Sequence, residues 1–432
     1  MKQPSLLQFT GFALATILPT ILARADVPIY QDKISLYGYA AGSLAFREDK
    51  YLRGVSSDTD NPFTLDAAKL GAAFNFDPVT ARLSVYVPRP DNVKYPDNIY
   101  LLEANVTYTM RGDSKITIGR FQSSIGYESF DIPNGSFITA GTGDSMNAPG
   151  LNLIPNFHEG VKFEGTTNNN YGYGIALVDS IYNTTGKPFR GDGSLSDGFG
   201  FELYGKYHSE NLSGQMTLGY QSNKLPLAMS GTAKITSTGE TFPYPYSLNT
   251  NTDTWIVDLY GEYKVPNSKV TLGFEGAYRT DDPAIPSFNG KRFPDREFPD
   301  AEPATVPAQD MSAYNKRVIT YFVLAMMKYQ VSEPFFIAAR FSTGQKKAQT
   351  DANATGYFNT DTRGFDYVRP DGVVVLFYKY TVAASYTVSK NVELRAELST
   401  TDYMKTRITD PKGNIKQISD SYYAGVQAIL KF

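Results

Sequence analysis

The chain has no cysteine among its 432 residues, and only one tryptophan and two histidines. Each shortage narrows what the protein can do. Without Cys there is no disulfide staple for an oxidising compartment, no thiolate, and no acceptor for an N-terminal lipid. His158 and His208 are the only imidazoles for general acid–base work, and no Ser is placed so as to suggest a triad with either. The chain also lacks an H-E-x-x-H pair, a Gly-x-x-x-x-Gly-Lys-Ser/Thr loop and a Gly-x-Gly-x-x-Gly on a strand–helix unit. The expectation is a protein that is not an enzyme and uses neither metal nor cofactor. His158, at the entry to a strand, then has a structural role or lies at the mouth of whatever the strands enclose, and His208 falls in a turn.

Long apolar runs are missing too. Beyond residue 25 nothing approaches the roughly 18 residues of a membrane helix; the longest runs, 322–327 and 373–378, are strand-sized. At the N-terminus, Lys2, the largely apolar stretch 6–22 and Ala23-Arg24-Ala25 read as a secretory signal peptide, 1–25, with the mature domain 26–432 starting at Asp26. An uncleaved anchor helix is the competing reading; Pro19 and the shortness of the run count against it. Removing the leader leaves 41 − 2 = 39 Lys+Arg against 44 Asp+Glu, a charge of −5. So mild an acidity gives no reason to expect nucleic acid as a partner.

What the chain does have is 31 Tyr and 27 Phe, with a mean hydropathy of only −0.31. A barrel with an apolar outside and a polar lumen combines these two properties. Period-2 segments bounded by turn residues occur at 34–46, 64–76, 80–88, 99–110, 115–121, 156–165, 171–179, 198–207, 212–221, 253–264, 269–279, 317–330, 334–343, 373–386, 392–400 and 420–432. After every even segment the link is short, as at Asp77-Pro78-Val79. After every odd one it is longer, as at 122–155, 222–252, 280–316 and 344–372. This alternation predicts an all-β, transmembrane, antiparallel up-and-down β-barrel of about 16 strands, with tight turns in the periplasm and long loops outside. It would be exported through the periplasm to the bacterial outer membrane, among lipids and lipopolysaccharide.

The aromatic residues support this orientation. Phe74, Phe76, Tyr108, Phe163, Tyr171, Tyr173, Tyr207, Tyr263, Tyr329, Phe335, Tyr386 and Phe432 adjoin the short turns on the more apolar parity, as a periplasmic girdle would. Phe46, Tyr100, Tyr220, Trp255, Tyr278, Tyr321 and Phe341 form a thinner outer one. The last strand alternates from Tyr422 to Phe432 with Ile429 the one apolar residue on its inner face. Its terminal aromatic is similar to the signal read by the barrel-assembly machinery.

The opposite parity carries nine bases (Lys69, Arg82, Lys162, Lys206, Arg279, Lys328, Arg340, Lys379, Arg395) and eight acids (Glu103, Glu164, Glu202, Asp258, Glu262, Glu275, Glu393, Glu397). A base facing hydrocarbon at mid-depth would cost about 2–4 kcal/mol, and unpaired ions in a dry core cost more, so these side chains predict a water-filled lumen. About eight residues precede the first strand after Asp26, too few for a plug. The near-balance of charge predicts weak ion selectivity.

The most distinctive internal stretch is Gly119-Arg120-Phe121, followed by Ile125-Gly126-Tyr127-Glu128, Pro133-Asn134-Gly135 and His158-Glu159-Gly160-Val161. This pattern resembles the family of putative beta-barrel porins called OmpL-like, and strand count and loop order resemble general porins. The resemblance is specific over about 50 residues and implies a pore-forming outer-membrane protein of unspecified substrate. It further implies that loop 122–155 folds inward as a constriction, as the third loop of general porins does, and that a homotrimer is possible. Opposed charges there would set a size limit and a transverse field: Glu128, Asp131 and Asp144 on the loop, Arg82, Arg120, Arg340 and Arg395 on the wall. Ordinary solvated charges are the competing reading for each. Strict alternation puts Arg120 on the lipid parity unless a bulge intervenes at Gly119. The functional expectation is passive diffusion of small hydrophilic solutes; the alternative is a surface barrel acting mainly as an adhesin or structural protein.

Overall fold

The computed structural model describes residues 27–30, 33–49, 63–88, 99–112, 114–127, 132–139, 151, 153–155, 157–167, 170–182, 198–235, 241–284, 301–302, 316–349, 356–359, 364–367, 373–404, 407–409, 415–417 and 420–432. Sixteen antiparallel strands close into one barrel. They are β1 (Ile34–Asp49), β2 (Phe63–Phe76), β3 (Val79–Pro88), β4 (Tyr100–Thr109), β5 (Lys115–Gln122), β6 (Phe157–Thr167), β7 (Tyr171–Val178) and β8 (Gly198–His208). The second half comprises β9 (Leu212–Ile235), β10 (Thr241–Lys264), β11 (Val270–Ala284), β12 (Val318–Ser332), β13 (Phe335–Ala348), β14 (Val373–Ser389), β15 (Val392–Asp402) and β16 (Ser421–Lys431). Closure is made by β16 on β1, in register from Tyr39 opposite Lys431 to Asp49 opposite Ser421. A further short strand, Val27–Tyr30, pairs with the start of β1.

Alternation decides which way each strand faces. On the outside, Leu70, Leu83, Ile118, Val161, Leu203, Met216, Leu259, Val323, Val382, Leu398, Val426 and Leu430 are all exposed large apolar residues. In water such a belt would be unstable; against acyl chains it is the favoured solvent. Phe76, Tyr108, Tyr171, Tyr263, Tyr329 and Tyr386 ring the short-turn end, and Phe46, Trp255, Tyr278 and Tyr321 the other, all exposed. Tyr100 leaves the outer ring: register slips between Ser84 and Val85, and it packs with Tyr86 against Leu102 and Phe157.

Two departures from the sequence expectation are informative. Strands β9 and β10 do not stop at 221 and begin at 253. They stay in register out to Lys234 opposite Thr241, as a two-stranded ribbon beyond the barrel. Pairing with β8 ends at Asn223 and with β11 at Asn251. Pro226, Pro243 and Pro245 therefore lie where only one edge of each strand is paired, a position that tolerates a missing N–H. The second departure is inside. Five of the eight lumen-parity acids (Glu202, Asp258, Glu275, Glu393, Glu397) and five of the nine bases (Lys69, Arg279, Arg340, Lys379, Arg395) are buried, not bathed in a wide lumen.

Candidate functional site

Over Glu202, Asp258, Glu275, Glu397, Arg340 and Arg395 the cover is the segment between β5 and β6. It leaves β5 after Gln122, passes inside β6 and β7, and runs along the inner wall from β8 to β12. Its seats are carboxylates. Glu202 on β8 accepts the Ser124 N–H at 2.9 Å and the hydroxyls of Ser123 and Ser124, each at 2.6 Å. Asp258 on β10 accepts the Gly126 N–H at 2.8 Å, and Glu275 on β11 accepts the Tyr127 N–H at 3.0 Å. The Tyr127 hydroxyl donates to Glu262, while the Ser124 carbonyl accepts from Gln215 and Thr217 on β9. An irregular backbone leaves unpaired N–H groups, and burying one without a partner costs roughly 1–3 kcal/mol; an ionised acceptor gives a stronger bond than a neutral one.

Further along, the segment meets the wall on the other side of the closure. A single 3-10 turn, Ile132–Asn134, offers the Ile132 and Pro133 carbonyls to Arg395 on β15. Ile132 also packs on Tyr39, Ala41, Ala67 and Ile429. Ile429, the apolar residue on an otherwise polar face, is thus a contact for the inserted chain. The Ile138 and Thr139 N–H groups and the Thr139 hydroxyl all donate to Glu397. Arg340 on β13 donates to the Thr139 carbonyl at 2.8 Å and lies 4.2 Å from the Phe137 ring centre.

The return arm is held by apolar contact. Ile125, Leu151 and Leu153 bury against Ile256, Phe322, Leu324, Val375 and Phe377. Runs 322–327 and 373–378 are continuous because their inward residues are apolar as well, facing the inserted chain where their neighbours face lipid. Fully covered strands read this way in any protein. A second inward turn clamps the arm: Gln221 accepts the Ile181 and Tyr182 N–H groups, both at 2.7 Å. The Tyr182 hydroxyl donates to the Leu153 carbonyl at 2.9 Å, and Arg279 stacks 3.8 Å from its ring centre.

Glu202 and Asp258 stand six residues from the short-turn ends of their strands, at His208 and Lys264. Glu275, Arg340 and Glu397 stand five residues after the starts of theirs, at Val270, Phe335 and Val392. At about 3.3 Å per residue and a tilt near 40°, this is roughly 13 Å, about half of a 25 Å apolar band. These five seats of the segment therefore stand near mid-height on the inner wall.

The residues expected to form a constriction fare differently. Arg340 and Arg395 both touch the inserted segment. Arg82 does not. Its side chain is 63% exposed, and its guanidinium lies 3.9 Å from Glu103. Arg120 is not brought to the others: register runs unbroken through Gly119, so no bulge moves it to the lumen parity. It is buried against Glu159 at 3.1 Å and the Leu102 carbonyl. Gly119 itself has φ +114°, and a Cβ there would meet the Ala104 carbonyl oxygen at 2.2 Å. Glu128, Asp131 and Asp144 lie outside the described residues.

His158 donates or accepts at 2.7 Å with Glu202 and is fully buried beside it, with the Phe121 ring edge-on at 6.4 Å. It is a structural residue that braces the principal loop seat. The role of the acids as loop seats was not legible in the sequence, where Glu202, Asp258, Glu275 and Glu397 read as solvated lumen charges. The available signal was the motif, since Ile125, Gly126 and Tyr127 are among the residues that dock and His158 braces the Glu202 seat.

Several solved barrels resemble this one. OmpT, an outer membrane protein of Vibrio cholerae, superposes with a TM-score of 0.51 at 12% identity, covering 94% of this chain and 99% of that one. The outer membrane channel DcaP of Acinetobacter baumannii gives 0.50 at 11% identity, with 92% and 97% covered. Pseudomonas putida OprB gives 0.51 at 12% identity, with 93% and 94% covered. No curated protein sequence matches the chain. At these identities the likeness establishes the fold. The family follows from the sequence profile described as Putative beta-barrel porin-2, OmpL-like, which matches residues 37–432. Together with the closed barrel, that match makes this chain an outer-membrane β-barrel channel belonging to the OmpL-like porin family.

Proposed function

We propose that the barrel is a passive channel for small hydrophilic solutes, weakly selective between ions, with its size limit set by the segment 122–155. The observation that carries this reading is the seating of that segment on Glu202, Asp258, Glu275, Glu397 and Arg340 near mid-height and on Arg395 nearer the short turns. A chain held by charge-assisted bonds on opposite walls is a rigid obstacle, and a rigid obstacle gives a sharp size limit. Other charges, Arg82, Lys162, Glu164 and Lys206 among them, remain unburied along the wall.

The test is a liposome-swelling series with neutral sugars of rising mass, run beside single-channel recording in planar bilayers. Swelling that falls off steeply with solute size, together with discrete conductance steps, is the expected result. A barrel that gives neither is a nonconducting surface protein. A homotrimer is part of the proposal: one similar structure is the trimer form of Vibrio cholerae OmpT.

A further inference from the structure

Leaving aside the carboxylates that seat the inserted segment, the inward charges from the short-turn end up to mid-height are not balanced. They form three clusters, each with one carboxylate and two cations. In the first, on β1 to β4, Lys69 lies 3.1 Å from Glu103 and Arg82 3.9 Å from it. The Tyr37 and Ser84 hydroxyls also donate to that carboxylate, at 3.0 and 2.8 Å. In the second, on β6 and β8, Lys162 lies 3.1 Å from Glu164 and the Tyr204 hydroxyl donates at 2.9 Å. Lys206 stands 4.8 Å from the Tyr204 ring centre. In the third, on β14 to β16, Glu393 takes Arg395 at 2.7 Å, Lys431 at 2.6 Å and the Ser385 hydroxyl at 2.7 Å.

Each cluster carries one more cation than carboxylate; Lys69 and Arg395 are buried, Lys431 is half-buried, and Glu164 is no more hidden than Lys162. A carboxylate has about four lone-pair sites, and in the first and third clusters cations and hydroxyls occupy most of them. Arg82 and Lys206 are exposed. An ion in this vestibule therefore meets a wall of net positive charge, with the Arg82 guanidinium and the Lys206 ammonium among its exposed groups. Among the described residues, Lys328 and Glu262 also lie at this level and add no net charge between them. The even tally of acids and bases over the whole lumen is reached only by counting Glu202, Asp258, Glu275 and Glu397, which are buried at mid-height beneath main-chain N–H donors.

We propose that the periplasmic half of the lumen is an anion-attracting vestibule, and that the channel prefers small anionic solutes, such as inorganic anions and short carboxylates, over cations of the same size. The proposal rests on the channel reading above and adds the sign of its selectivity. A unit charge about 8 Å away, screened at 0.1 M salt, biases anion over cation by roughly one and a half- to twofold, and by more in dilute salt.

Reversal potentials of the purified protein in a planar bilayer, measured across a potassium chloride gradient, test it. Chloride should permeate better than potassium, by a ratio that rises as the bath is diluted. Arg82→Glu and Lys206→Glu, both at exposed side chains, should each lower that ratio, and the double variant should bring it below one. Glu164→Gln should raise it. A conducting wild-type channel with a ratio at or below one overturns the proposal, as does a ratio unmoved by the double variant. A protein with no conductance steps in any salt overturns the channel reading itself.

Discussion

On β8, β10 and β11, and again on β15, lumen-facing carboxylates accept main-chain N–H groups of the inserted segment. On β4, Glu103 faces the same way, yet its donors are side chains, namely Tyr37, Ser84 and Lys69. The two walls use one residue type for different ends. Where a piece of irregular backbone crosses, an inward acid is a mount, and its removal strands buried N–H groups. Where no backbone docks, an inward acid organises neighbouring cations. The difference lies in the cover, since the carboxylates themselves are alike.

The largest expected break of this contrast is at Glu202. Glu202→Ala removes the partner of buried His158 and of three donors on Ser123 and Ser124. Removing one partner of a buried pair costs about 3–5 kcal/mol. The thermal or guanidinium unfolding midpoint should fall clearly, and any folded channel should show a larger conductance step. On the open wall, Glu103→Gln should leave the step size near wild type.

Next comes the far mount. Arg340→Ala frees the Thr139 carbonyl and uncovers the Phe137 ring, a loss of about 1–3 kcal/mol. Liposome swelling should admit larger sugars than the wild type does. An unchanged exclusion size would mean that residues 132–139 do not bound the pore.

A smaller effect is expected at Gly126, whose φ of +103° is unsuited to a side chain. A Cβ there would come within 2.6 Å of Ile154, so Gly126→Ala should carry about 1–3 kcal/mol of strain, felt at the docked segment as noisier open-channel current. Gly205→Ala, with no atom within 4 Å of the new carbon, is the matching control and should be silent in the same recording.

The smallest change is Arg82→Ala. Its side chain is 63% exposed, so stability should stay within about 0.5 kcal/mol while the ion-permeability ratio shifts modestly. A stability loss as large as that of Glu202→Ala would place Arg82 among the mounts and dissolve the distinction between the walls.

Much of the scaffold could be read before any coordinates. Tyr108, Tyr171, Tyr263, Tyr329 and Tyr386 sit beside short turns on the apolar parity, and all five face outward at that end of the barrel. Period-2 alternation is local, and a barrel strand obeys it residue by residue. The reading failed where a second layer is present. Arg120 keeps the parity that alternation assigned, and the bulge needed to turn it inward is absent. Period-2 alternation ends the strands at 221 and 253, whereas 222–234 pair with 241–253 as a ribbon that needs no barrel neighbour on its outer edges.

The sequence by itself determined the number of strands, their direction, the side of the short turns and the compartment. All of these follow from a two-residue period and from which side chains tolerate lipid. Only the tertiary structure decided what the inward charges do. Ser124 and Glu202 are 78 residues apart, and Thr139 and Glu397 258 apart. No local pattern announces a contact at that separation, because it forms only once the closed barrel has brought opposite walls within reach of one crossing segment.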